Sequence, residues 1–267
     1  MSAMGLLDLP APLLQAVDGW LALLLPALLR VWLYGAISGV VSMALYRRWS
    51  AQSKLAALSD RTRALRQELA GYDGPFDGLM TRVGELLRLS GRHLRLSFVP
   101  AMLSGLPVLF LLPWLSNHFG HQWPAAGETL QVQPQGLSVP VEALQWSGPD
   151  GASAVRWDPD SGSWALSWPA AEQPVQLRQG EQRLLTLPPA GDYAIPVLHK
   201  RSLPFNWLIA NPADYLPEDG PLQAVALDLP AQALHGLGPG WLRHWLAMYL
   251  LPLLAVSLWL RWRWRLQ

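Results

Sequence analysis

Three long apolar runs, separated by stretches of quite different texture, set the pattern of this chain. The first extends from Leu21 to Tyr46 and is interrupted only by Arg30; the second covers Phe98 to Leu115. The third is Trp241 to Leu260, with Arg243 and His244 near its start. A bilayer core is crossed by about 20 mostly apolar residues, and each run approaches or exceeds that length. Trp20, Trp49, Trp114, Trp241, Trp259 and Trp262 lie at or near the run ends, where amphipathic rings favour the headgroup zone. A buried core helix would give similar runs, but the lengths and aromatic flanks favour membrane spans.

The intervening stretches carry other periods. Residues 1–20, with Leu6, Leu9, Leu13, Leu14 and Val17 among few charges, read as an amphipathic segment on a membrane interface. Leu55, Leu58, Thr62, Leu65 and Leu69 recur at alternating steps of three and four, the a/d spacing of a coiled-coil seam. The breaker Gly71-Tyr72-Asp73-Gly74-Pro75 follows, and then a second seam of Phe76, Leu79, Val83, Leu86 and Ser90. Two seams around one turn predict an antiparallel helical hairpin over 47–96, each arm roughly 30 Å long. Pro100, Pro107 and Pro113 with Gly105 predict a second span that is bent and packed against its neighbours.

Between the second and third spans the period shortens to two. Thr129–Gln133, Leu137–Val141, Ala154–Trp157, Trp164–Trp168, Val175–Leu177, Arg183–Leu187, Tyr193–Leu198 and Ala224–Leu229 alternate as strands do. Asp158-Pro159-Asp160-Ser161-Gly162-Ser163 is a hairpin turn between two tryptophan-bearing strands. Short strands at this spacing suggest a small β-sandwich.

Charge orients these pieces. Residues 47–95 hold ten Lys/Arg against five Asp/Glu, and 116–240 hold five against twelve. Arg261, Arg263 and Arg265 follow the third span with no acid. Basic loops stay in the cytoplasm. The expected order is therefore a periplasmic interfacial segment 1–20, transmembrane helix 21–46, cytoplasmic hairpin 47–96 and transmembrane helix 97–116. A periplasmic β-rich domain 117–240, transmembrane helix 241–260 and a basic cytoplasmic tail 261–267 complete it. The fold class is an α-helical membrane protein with three transmembrane helices, a cytoplasmic helical hairpin and an inserted all-β, sandwich-like periplasmic domain. The chain has 51% apolar and 15% charged residues, too apolar for an ordinary soluble domain. Residues 1–20 lack a basic region, so the first span reads as an uncleaved anchor. There is no cysteine; a basic inside and a disulfide-free outer domain fit a bacterial inner membrane.

Arg30 stands out. Counted from Leu21 it lies about nine residues, or roughly 14 Å, into the first span, where insertion costs about 3 kcal/mol. Tyr34, Ser38 and Ser42 follow at steps of four and share its helix face, beside Gly35 and Gly39. No Asp or Glu occurs in the three spans. Three explanations fit: a hydrated groove, a guanidinium snorkelling to the interface, or a carboxylate from another subunit. Arg61, Arg63, Arg66, Arg82, Arg88, Arg92 and Arg95 put cations on the outer faces of the hairpin. They either enforce topology and meet lipid headgroups, or form a surface for a nascent chain or ribosomal RNA. His118-x-x-His121 has the spacing of two ligands on one turn, but without further ligands it reads as interface histidines. Trp123, Trp146, Trp157, Trp164, Trp168 and Trp207 read as sandwich core ahead of a sugar- or peptide-binding surface. No nucleophile elbow, zinc-protease, phosphate-loop or dinucleotide fingerprint occurs. The expectation is a non-enzyme without metal or cofactor and without DNA as a partner.

The layout resembles the Oxa-type membrane insertase superfamily, the YidC-like and archaeal three-helix-core type. The likeness covers roughly 20–116 and 241–262. It is carried by Ser42 to Arg48 leading into a hairpin with Lys54, Leu55, Leu58, Arg61, Leu65 and Glu68, and by the Phe98–Leu115 helix. The β-rich domain between the second and third spans departs from that pattern. The resemblance implies an insertase or chaperone-like factor for inner-membrane proteins, with a polar groove formed by Arg30, Tyr34, Ser38 and Ser42. Its partners would be membrane-protein clients or other membrane subunits, lipid headgroups and the ribosome. The alternative is a membrane-anchored scaffold whose outer β-domain binds a partner protein or glycan.

Overall fold

A computed structural model describes residues 5–148, 155–170, 173–189, 193–202 and 204–266. By contacts the chain divides into two compact units, one of residues 29–109 with 248–267, the other of 1–28 with 110–247.

The first unit is helical. Its elements are α2 (Ala27–Trp49), α3 (Gln52–Ala70), most of α4 (Phe76–Phe119) and most of α6 (Trp245–Trp264). The helices α2, α4 and α6 are long and apolar enough to cross a membrane. They match the three expected spans with shifted bounds. The helix α2 starts at Ala27, directly after Pro26, rather than at Leu21. Proline is tolerated at a helix start, where its missing N–H costs nothing, and not in a helix interior. Arg30 is consequently in the first turn of α2, not deep within it.

The hairpin seam forms as its spacing predicts on the α3 side, where Leu55, Leu58 and Leu65 are buried. On α4, Leu79, Val83 and Leu86 are half-buried, while Phe76 and Ser90 are exposed. Arg61 Nη2 ties the arms by donating to Glu85 Oε1 at 3.0 Å. The second arm and the second span are one continuous helix, running through Pro100, Pro107 and Pro113. Of the span expected to pack against its neighbours, Ser104, Trp114 and Leu115 are buried, while Phe98, Val99, Met102, Leu103 and Leu106 are exposed. An apolar face left open on a helix of this length is what contact with lipid requires.

The helices α2 and α6 come into close contact. A Cβ on Gly35 would stand 2.3 Å from the Tyr249 carbonyl oxygen, and one on Gly39 would stand 2.8 Å from that of Leu253. Small residues four apart let two backbones approach this closely. Val31, Tyr34 and Ser38 are buried on the same face, and Trp32 Nε1 lies 3.4 Å from Met248 Sδ.

The second unit holds α1 (Ala11–Ala22), the end of α4, the short α5 (Gly240–Arg243) and, among the described residues, eight strands. These are β1 (Thr129–Gln135), β2 (Gln145–Ser147), β3 (Val155–Asp158) and β4 (Ser163–Ser167), then β5 (Val175–Gln179), β6 (Gln182–Leu187), β7 (Val197–His199) and β8 (Ala224–Leu227). They form two antiparallel sheets, in the orders β3-β4-β1-β8-β7 and β2-β5-β6. Leu130, Val132, Leu166 and Val225 from the first sheet share one core with Trp146, Leu177 and Leu187 from the second. The expected hairpin turn pairs Trp157 with Trp164 and Asp158 with Ser163, and Gly162 supplies its left-handed residue at φ 61°.

The stretch Leu137–Val141, expected as a strand, is irregular and leads into a 3-10 turn at Val141–Ala143. The strand β2 was not anticipated, three residues being too short to show a period. Pro134 sits within β1 because β4 pairs only as far as Val132, which leaves one edge of the strand open there.

The N-terminal segment is fastened to this unit. Leu7 N donates to Leu208 O at 2.9 Å, and Asp8 Oδ2 accepts from Ala210 N at 2.6 Å. Beyond it, α1 exposes Leu13, Val17 and Trp20 while burying Asp18, whose Oδ2 lies 2.9 Å from His118 Nε2.

Candidate functional site

The helical unit bears an open cavity of about 860 Å³, lined from four helices. The helix α2 supplies Ser42, Met43 and Tyr46 from the face that carries Ser38 one turn earlier. From α3 come Ser59, Thr62, Arg63 and Arg66. On α4 the lining is Ser90, His93, Leu94, Ser97, Ala101 and Ser104. Arg261 and Leu266 close it from α6 and the residues that follow.

The α4 contribution is a stripe. Ser90, His93, Ser97 and Ser104 are spaced by three, four and seven, which returns to one face of a helix. Two of the hydroxyls are turned to their own backbone: Ser97 donates to His93 O at 3.0 Å and Ser104 to Ala101 O at 2.9 Å. Thr62 on α3 does the same, donating to Leu58 O at 2.7 Å. Such bonds use the hydroxyl's O–H inside the helix and leave its oxygen to accept from the cavity side.

Electrostatically the cavity is one-sided. Arg63, Arg66 and Arg261 line it together with His93, and none of the described lining residues is acidic. Arg63 Nη1 also meets Asp60 at 3.4 Å, an exposed pair one turn away on α3. Exposed pairs of this kind contribute little, so Asp60 does not neutralise the cavity.

Of the predicted groove residues, Ser42 alone lines the cavity. Tyr34 and Ser38 are buried beside the glycines that meet α6, and half-buried Arg30 stands three turns away along α2 from Ser42. The steps of four that put these residues on one face also put Gly35 and Gly39 there, and close backbone contact claimed the upper part of that face. The hairpin arginines divide. Arg61 pairs with Glu85 and, at 3.6 Å, with Glu68. Arg82 lies 4.3 Å over the Tyr72 ring. Arg63 and Arg66, both exposed, line the cavity, and Arg88 is exposed outside it. The Ser90–Ser104 stripe was missed because Ser90 had been read as part of the seam. Small polar residues at helical spacing across an apolar run were the available signal.

In the β-rich unit, Trp146, Trp164 and Trp168 are core residues, Trp123 and Trp157 pack against that core, and Trp207 is exposed. His118 stacks on Trp114 with ring centroids 5.0 Å apart and is engaged by Asp18. His121 pairs across a β-bridge with Ala231, and burial first, then nearby His244, pushes its imidazole below the usual 6.5. Comparison of the chain with protein families, with curated proteins and with solved structures finds no match.

Proposed function

We propose that this chain is an inner-membrane protein that aids insertion or assembly of other membrane proteins through a polar cavity among its spans. In this reading α2, α4 and α6 cross the bilayer, the hairpin and the basic tail are cytoplasmic, and the β-rich unit is periplasmic. The basic and acidic loops support that orientation. The observation that carries the functional reading is the 860 Å³ cavity, lined by hydroxyls and arginines from the three apolar helices and from the polar α3. A polar segment in hydrocarbon costs several kcal/mol for each unsatisfied group. Hydroxyls and guanidinium groups at the cytoplasmic mouth would offer such a segment partners before it meets lipid. No nucleotide and no covalent step is required. Arg30, one turn into α2, would hold the periplasmic end of that helix at headgroup level. The likeness to the Oxa-type superfamily in span order and basic hairpin supports the same reading.

The test is insertion of a single-span client with a short polar tail into vesicles bearing equal amounts of wild type or the double variant Ser97→Leu/Ser104→Leu. Insertion should fall for the polar-tailed client and stay unchanged for an apolar-tailed one. Equal insertion of the polar-tailed client by both proteins would overturn the proposal. A scaffold role is the second reading, favoured by Phe205 and Trp207 exposed on the β-rich unit. Loss of a co-purifying subunit in Trp207→Ser with client insertion intact would put it ahead.

A further inference from the structure

The cavity combines two chemistries that a client segment alone does not explain. The lining presents Arg63, Arg66, Arg261 and His93 with no carboxylate among the described lining residues. It also includes the apolar Met43, Leu94, Ala101 and Leu266. Along α4, Leu94 and Ala101 are flanked by Phe98 and Met102, both exposed, so an apolar track leaves the cavity on the same helix. Arginines from two helices suit an oxyanion with several acceptor oxygens, because guanidinium groups match phosphate geometry through paired N–H donors. An apolar track beginning at that seat suits a ligand whose anion is joined to hydrocarbon.

We infer that the cavity holds the headgroup phosphate of an anionic phospholipid, with its acyl chains running out along the exposed apolar face of α4. This rests on the membrane placement proposed above and not on client insertion. Charge complementarity argues for the anion. The apolar wall argues for a lipid over free phosphate, which gains nothing from Leu94 or Ala101. A bound lipid would also fill a cavity that otherwise stands open among spans whose neighbours are hydrocarbon.

The test uses the full chain reconstituted in vesicles of phosphatidylcholine with a minor fraction of phosphatidylglycerol. It is then extracted gently and weighed by native mass spectrometry. Wild type should retain phosphatidylglycerol in preference to the more abundant phosphatidylcholine. Each guanidinium near an anionic surface contributes roughly fivefold, so Arg66→Gln/Arg261→Gln should lower retention roughly twenty-five-fold. Arg156→Gln, exposed in the β-rich unit and outside the lining, should retain lipid as wild type does. Indifference of wild type to headgroup charge would overturn the inference, and that comparison needs no variant to fold. Displacement by inorganic phosphate would reassign the seat to a free anion, and displacement by a short glutamate peptide would reassign it to an acidic chain. Either result overturns the lipid assignment. Lipid selectivity without client insertion would sink the insertion reading alone, and insertion without lipid selectivity would sink this one alone.

Discussion

Gly35 and Gly39 matter for what they lack. At Gly35 the added methyl of alanine would meet the Tyr249 carbonyl oxygen at 2.3 Å, and backbone cannot swing aside as the tip of a side chain can. Gly35→Ala should therefore cost about 1–3 kcal/mol, the usual range for overpacking. Gly84, exposed on α4 with nothing within 4 Å of its Cβ position, should behave oppositely; Gly84→Ala should add up to about 1 kcal/mol of helix propensity. Thermal unfolding of the two variants in one detergent checks both, and equal shifts would mean that α2 and α6 do not meet at Gly35. His121 makes a second prediction. Its imidazole is held below 6.5 in the folded chain, so the unfolded chain binds the proton first as pH falls. The stability it supports is present above 6.5 and is lost as pH drops through the lowered folded value. His121→Gln should flatten the decline in melting temperature below pH 6.5 relative to wild type. Parallel curves for the two proteins would show that His121 is not desolvated.

The same close approach explains which elements were readable in advance. An apolar run of span length has one physical meaning, so α2, α4 and α6 were all foreseen, and the heptad over Leu55–Leu69 announced α3. Their ends were less legible. Pro26, inside the apolar run from Leu21, is the boundary before α2, while three prolines in α4 end nothing. Proline acts on local hydrogen bonding, and whether a helix resumes depends on the turns on either side. The cavity was half visible for a related reason. Spacing put Ser42 on a polar face, but which part of that face would be closed by α6 and which left open depended on a partner about 200 residues away. Ser97 and Ser104 carried the same helical spacing and went unread among prolines. The hairpin offers a direct check at this scale. Leu58 is buried in the seam and Ala57 beside it is exposed. Leu58→Asp strands a charge in an apolar contact at a cost of several kcal/mol and should make α3 sensitive to limited proteolysis. Ala57→Asp should leave the digestion pattern unchanged, and equal resistance of the two would mean that the arms do not pack through Leu58.

For the molecule as a whole, the proposed orientation can be tested with two single cysteines in a chain that has none of its own. Ala57 on the hairpin and Ala170 in the β-rich unit are both exposed. In intact cells an impermeant thiol reagent should label Ala170→Cys and spare Ala57→Cys until the membrane is opened. Labelling of both before that point would overturn the three-span arrangement.

The glycine contact also has a consequence for the order of events during synthesis. The α6 residues that close over Gly35 and Gly39 follow them by more than 200 positions, as the Trp32–Met248 pairing shows with a separation of 216. At about 5–20 residues per second, α2 waits roughly 10–40 s on the ribosome with its glycine face uncovered. In that interval the hairpin, α4 and the strands of the β-rich unit are made. The bundle cannot close as its helices emerge; it closes in retrospect, after the β-rich segment has been produced and disposed of. Until then α2 and α4 are a half-built wall, and the nascent chain itself is the kind of exposed, partly polar membrane segment that the finished protein is proposed to shelter.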